Sequence, residues 1–272
     1  MMRLSINEMT TYRWSFEEDI SRYAAEGFKA VGVWRQKLAD YGEEKGIELL
    51  RDAGLEVSNL MWAGGFTGCD GHAFRDSVAD AADAIALCGE LKTHCLIVYT
   101  GGRGGHTHGH ARRLVRDALL KLAPLAEEHG VTLAIKPMHA GCSAGCTFLN
   151  TVDDALAMLE MVNHPQVKLA VDTYHLGVDG GLEARLEEII PHTAIVHVGD
   201  GRPPRDGEQD RCIPGQGDVP LAAILRGLHH GGYDGDFDIE LMGLDIELGD
   251  YLDVIRRSKQ WFDAVLGVSG VA

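Results

Sequence analysis

The sequence predicts a closed (β/α)8 barrel of the TIM-barrel class, with residues 1–272 forming a single domain. Three observations carry this. Short β-branched runs alternate with helical patterns along the whole chain, the signature of repeated βα units. Eight such units fit a chain of 272 residues, close to the roughly 250 that such barrels use. The later strands pair one apolar face with one small or polar face, whereas a doubly wound open sheet covered by helices would be apolar on both.

The first strand candidate is Arg3–Asn7, and Ser15 with Glu18 patterns as a capping box opening a helix over Phe16–Glu26, which Gly27 ends. Ala30–Trp34 is the second strand. Val57–Trp62, the third, follows Gly54 at a helix C-cap position, and the amphipathic stretch Phe74–Leu91 leads to the fourth, His94–Thr100. Arg112–Glu128 is helical and closes at Gly130 before the fifth strand, Thr132–Pro137. Thr151 and Asp154 repeat the capping pattern ahead of a helix over Val152–Val162. The sixth, seventh and eighth strands are Val167–Asp172, Ile195–Asp200 and Asp236–Leu241, and Tyr251–Leu266 is the last helix.

Side-chain parity then singles out a ring of ionisable residues. Leu133 and Ile135 alternate with Thr132, Ala134 and Lys136; Leu169 and Val171 with Lys168, Ala170 and Asp172. Val196 and Val198 alternate with Ile195, His197 and Gly199; Phe237, Ile239 and Leu241 with Asp236, Asp238 and Glu240. The apolar set meets the helices and the other points inward, so Lys136, Asp172, His197 and Glu240 end four consecutive strands on the face where barrel active sites are built. One inward His or Asp is commonly a satisfied core group. Four in register, with His175 three residues after Asp172, are hard to explain as stability, because burying charge without a task is costly. Asp172, His197 and Glu240 offer oxygen and imidazole ligands, a set suited to Mn²⁺, Mg²⁺, Co²⁺ or Zn²⁺ holding a polyol or carbonyl substrate.

Charge and composition exclude several function classes. Forty-one acidic residues against twenty-five basic leave a net charge of −16, a field that repels nucleic acid and anionic lipid surfaces. No apolar run approaches the ~20 residues of a membrane span, and the first residues turn polar too early for a signal peptide, so a cytoplasmic protein is expected. Six cysteines without a C-x-x-C pair read as free thiols. A homo-oligomer is compatible with the composition.

Val167-Lys168-Leu169-Ala170-Val171-Asp172-Thr173-Tyr174-His175, Val196-His197-Val198-Gly199-Asp200, Arg211-x-x-Pro214-Gly215-x-Gly217 and Asp238-Ile239-Glu240 together resemble the xylose-isomerase-like TIM barrels grouped as sugar phosphate isomerases and epimerases. The likeness runs over essentially the whole chain. It implies Asp172, His197 and Glu240 as ligands of a divalent metal, His175 and Arg211 as contacts to substrate oxygens, and Glu240 as an acid/base. It also implies a fourth ligand, a Glu in a context like Leu-Ala-Ile-Glu-Pro, where this chain has Leu133-Ala134-Ile135-Lys136-Pro137. Lys136 therefore touches metal binding and two-carboxylate chemistry together, either displacing the metal as a cation or acting as a second base.

The remaining candidates lie in loops at the same face. Trp14, Trp34 and Trp62 fall at or after the ends of the first three strands, where Trp14 and Trp62 are expected to shape a sugar pocket, against the reading of ordinary core. His106, in the Gly-rich segment after the fourth strand, is a substrate-contact candidate, and so are Arg202, Arg205 and Arg211 after the seventh. The functional expectation is isomerisation, epimerisation or dehydration of a small sugar or polyol by proton abstraction next to a carbonyl. Its rival is a catalytically lapsed barrel that binds a sugar or a protein partner, with Lys136 as the reason for the lapse.

Overall fold

A computed structural model of the chain describes residues 3–143, 145–177, 181–203, 207 and 209–267. Eight strands close into one parallel barrel: β1 (Arg3–Asn7), β2 (Ala30–Trp34), β3 (Glu56–Gly64), β4 (Cys95–Tyr99), β5 (Thr132–Ile135), β6 (Val167–Asp172), β7 (Thr193–Val198) and β10 (Asp236–Ile239). β10 pairs with β1 and seals the ring. A short antiparallel pair, β8 (Asp200–Gly201) and β9 (Arg211–Cys212), stands above β7.

Helices fill the connections. They are α1 (Phe16–Ala25), α2 (Arg35–Tyr41), α3 (Glu43–Ala53), α4 (Phe74–Leu91), α5 (His108–Glu128), α6 (Val152–Val162), α7 (Thr173–Leu176), α8 (Leu186–Ile189), α9 (Leu221–His230), α10 (Leu244–Leu248) and α11 (Tyr251–Leu266). Both expected capping residues cap: the Ser15 side chain accepts from the Glu18 amide and Thr151 from the Asp154 amide. No helix among the described residues is long and apolar enough to cross a membrane.

The inward and outward faces separate as the alternation requires. Leu133, Ile135, Leu169, Val171, Val196, Val198, Phe237 and Ile239 join the large apolar shell between barrel and helices, whereas Ala134, Ala170 and Ile195 belong to a small separate cluster with Met61, Ile97 and Tyr99 inside the barrel. Several boundaries differ from expectation: β3 runs over Glu56–Gly64, β4 over Cys95–Tyr99, α5 begins at His108, and three more bear on the site. β5 and β10 stop one residue before Lys136 and Glu240, although the Lys136 amide still donates to Val98 O and the Glu240 amide to Val198 O. β7 spans Thr193–Val198 rather than 195–200, because the Thr173 hydroxyl donates to Gly199 O and accepts from the Gly199 amide, replacing the ladder there.

Candidate active site

Lys136, Asp172, His197 and Glu240 converge at the carboxyl ends of β5, β6, β7 and β10, all of them buried. The Lys136 ammonium lies 2.5 Å from Glu240 Oε2, 2.8 Å from His197 Nδ1 and 2.9 Å from Asp172 Oδ2. The two carboxylates accept from it, while the role of His197 Nδ1 depends on the imidazole tautomer. His197 Nδ1 also touches Glu240 Oε2, and its Nε2 is 3.8 Å from Asp238 Oδ2, one layer deeper in the barrel.

Asp172 is saturated. Its Oδ1 accepts from the Tyr174 and His175 amides at 2.9 and 3.3 Å as the cap of α7, and from Arg211 Nη1 at 3.3 Å. Oδ2 accepts from Arg211 Nη2 at 2.9 Å besides Lys136. Arg211 also donates to Glu240 O at 3.0 Å and to Gln209 Oε1 at 2.7 Å, and its plane lies 4.7 Å from the Tyr174 ring centroid. It can cross β7 only because residue 199 is glycine: a Cβ there would sit 2.6 Å from Arg211 Nη1. His175 Nε2 is 3.3 Å from Arg211 Nη2.

Electrostatics follow from this pairing. Burial alone would push the Glu240 carboxyl up, but Lys136, Arg211 and His197 outweigh it and hold the group far below the usual carboxylate range. Asp172 is likewise held well down, against burial, by Arg211 and Lys136. Burial would lower the Lys136 ammonium, yet Asp172 and Glu240 raise it above its ordinary value. Burial brings the His175 imidazole down to about 3, so it is neutral at working pH. Glu240 Oε1, by contrast, accepts no hydrogen bond among the described residues.

Other candidates occupy different surroundings. Trp62 lies in a row of rings at the ends of β2, β3 and β4, 6.4 Å from Trp34 and 5.4 Å from Tyr99. Trp14 packs edge-on against Tyr251 and beside Tyr23, in the apolar shell. His106 bonds Thr67 O and lies against the His110 ring, with no contact to the charged cluster among the described residues. Arg202 reaches Gln216 O, and Arg205 lies outside the described residues. All six cysteines are free thiols.

Two residues that hold the site escaped attention as contributors. Gln209 braces Arg211, and Asp200 accepts backbone amides from Gly201, Gly215, Gly217 and Val219, folding the segment after β9 under the mouth. The motif Val-His-Val-Gly-Asp200 flagged the second; nothing local marks the first.

Asp172, His197 and Glu240 each present a possible ligand atom, all within 4.8 Å of one another. The family described as xylose isomerase-like TIM barrel matches residues 20–264. Among named relatives, a putative hydroxypyruvate isomerase of Streptomyces coelicolor is 26% identical over 89% of this chain and 88% of its own length. An L-ribulose 3-epimerase of Mesorhizobium japonicum is 27% identical over 90% and 83%. The solved structure of IOLI protein, described with a binding zinc atom, aligns over the whole of both chains with a TM-score of 0.85 at 20% identity.

Proposed function

The chain belongs to the xylose isomerase-like TIM barrel family, and from that membership we propose that it isomerises, epimerises or dehydrates a small keto-sugar or keto-polyol by moving a proton next to the carbonyl. The observation that supports this most is the convergence of an ammonium, an imidazole and two carboxylates on the carboxyl ends of four strands, joined by the guanidinium of Arg211 from β9, all of them buried. Such a cluster has cations to stabilise an enediolate and a carboxylate to carry the proton.

Glu240 is the proton carrier. In the resting pairing it is a weak base, because Lys136 holds Oε2. A substrate carbonyl and its neighbouring hydroxyl would draw the Lys136 and Arg211 donors onto themselves, and the carboxylate that loses those donors becomes more basic. Oε1, which accepts no hydrogen bond among the described residues, is the oxygen placed to receive the proton. Trp62, at the mouth, would meet the C–H face of the sugar. A divalent metal is the cofactor that the family likeness implies, but the residues as they stand do not fit it: the Lys136 ammonium contacts one atom of each of the three candidate ligands.

The test is deuterium uptake from D2O into a panel of ketoses and inososes, read by NMR. Uptake adjacent to the carbonyl of at least one compound, lowered by about 10³-fold in Glu240→Gln, is expected. No uptake into any of them, or full activity in the variant, would overturn the reading.

A further inference from the structure

We infer that Lys136 is the resident cation of this site, filling the position from which a dication would have to bind Asp172, His197 and Glu240, so that the protein works without a bound divalent metal. The inference rests on the proposed reaction for its chemical meaning, but not for its test.

Three independent observations carry it. First, Lys136 Nζ stands within hydrogen-bond distance of one ligand atom on each of the three residues, at 2.5, 2.8 and 2.9 Å. An ion coordinated by the same three atoms would occupy the space that the ammonium fills. Second, Asp172 has no free lone pair to give: its two oxygens receive two backbone amides, both terminal nitrogens of Arg211, and Lys136. Third, the charged groups around Lys136 already pair with one another. Asp172 and Glu240 are matched by Lys136 and Arg211, and a dication added beside two fixed cations would leave a large uncompensated positive charge away from water.

Lys136 also reaches this position without strain on its neighbours' roles. It directly follows β5, while the groups it contacts come from β6, β7 and the residue after β10, so its donors can pass to oxygen atoms that arrive among them. An enediolate would then be stabilised by hydrogen bonds from an ammonium and a guanidinium rather than by a Lewis acid.

Metal titration of the protein, after chelator treatment and dialysis, decides the matter. With Mn²⁺ followed by calorimetry, the unmodified protein is expected to take up no stoichiometric ion below the millimolar range. Lys136→Glu should bind one Mn²⁺ per chain at least 100-fold more tightly and should gain thermal stability in its presence. Lys136→Gln removes the charge while keeping a neutral side chain of similar length, so it serves if the Glu variant folds poorly; it too should bind Mn²⁺ more tightly than the parent. One Mn²⁺, Co²⁺ or Zn²⁺ bound by the unmodified protein within tenfold of the variants would overturn the inference. Failure of the proposed reaction would look different: no deuterium uptake with or without chelator, in a protein that still binds no metal. Deuterium uptake abolished by chelator and restored by Mn²⁺ would sink the inference while leaving the proposed reaction intact.

Discussion

Two lysines are buried in this barrel, and they are wired differently. Lys37, on α2, donates to Asp19 Oδ2 at 2.6 Å and to the backbone carbonyls of Thr11 and Glu8 at 3.0 and 3.3 Å. It ties the 3₁₀ turn Glu8–Thr11 to α1, with Glu8 Oε2 accepting the Trp34 amide and Thr11 bonding both Asp19 and Tyr23. Lys136 touches no carbonyl in its contacts; its partners are side chains from three other strand ends. A cation bonded to backbone holds the chain in place. One that is bonded only to side-chain carboxylates and an imidazole can pass its donors to a ligand without breaking a contact to the backbone.

That difference predicts opposite phenotypes. Lys37→Met leaves two carbonyls without their donor and Asp19 without its counter-charge, and should cost about 3–5 kcal/mol of stability measured by urea unfolding, since the buried partner must then stay uncompensated or take up a proton. The protein that remains folded should retain its deuterium uptake. In Glu240→Gln the order reverses: uptake collapses while the urea midpoint moves less than in Lys37→Met, because Asp172 still pairs with Lys136 and Arg211. Equal stability losses in the two variants would erase the distinction between a structural and a working lysine.

The same contrast explains what could be read from sequence. Lys136, Asp172, His197 and Glu240 were legible because strand alternation is strictly periodic and each residue ends a run such as Leu133-Ala134-Ile135 whose apolar partners declare the outer face. The Lys37 cluster was not, since Glu8, Thr11, Asp19 and Lys37 sit on a turn and two helices whose mutual packing has no period in the sequence. Loop aromatics show the same limit. Trp14 follows β1 and Trp62 lies near the end of β3, yet the first turns back against Tyr23 and Tyr251 and the second stays 39% exposed at the mouth, and only tertiary packing chooses. Gln209 became a site residue solely through Arg211.

A smaller effect sharpens the view of the working half. Arg211 engages Asp172 with two nitrogens, Gln209 and the Glu240 carbonyl at once, a fork that an ammonium cannot reproduce. Arg211→Lys should fold and should raise KM about tenfold, equivalent to about 1.4 kcal/mol, with a smaller change in kcat. An unchanged kcat/KM would remove Arg211 from substrate binding and leave it as a brace for Asp172.

The two clusters also answer pH with opposite signs. Burial raises the Asp19 carboxyl to about 6, an effect that the nearby Lys37 only partly offsets, and burial together with Asp19 holds Glu8 well above its ordinary value. A carboxyl raised in the folded state binds its proton more tightly there than in the unfolded chain. Its contribution to stability is therefore complete below the unfolded value near 4 and is lost as pH rises through about 6, which for a shift of about two pH units is on the order of 3 kcal/mol. Asp172 and Glu240, held low by Lys136 and Arg211, behave the other way: their contribution is present above the ordinary carboxylate range and disappears only in stronger acid. Between pH 4.5 and 7 the Lys37 cluster makes stability fall with pH, while the His175 imidazole, brought down to about 3 by burial, makes it rise up to the unfolded value near 6.5, on top of the general repulsion of a chain carrying −16. Asp19→Asn keeps the shape of the side chain and the general repulsion but removes the titrating proton. Urea unfolding at pH 4.5 and 7 should therefore show the parent losing about 2 kcal/mol more across that interval than Asp19→Asn does, whereas Glu240→Gln should keep the parent's slope. If Asp19→Asn shows the parent's slope as well, the proton is not held beside Lys37, and the carboxylates there are charged like those around Lys136.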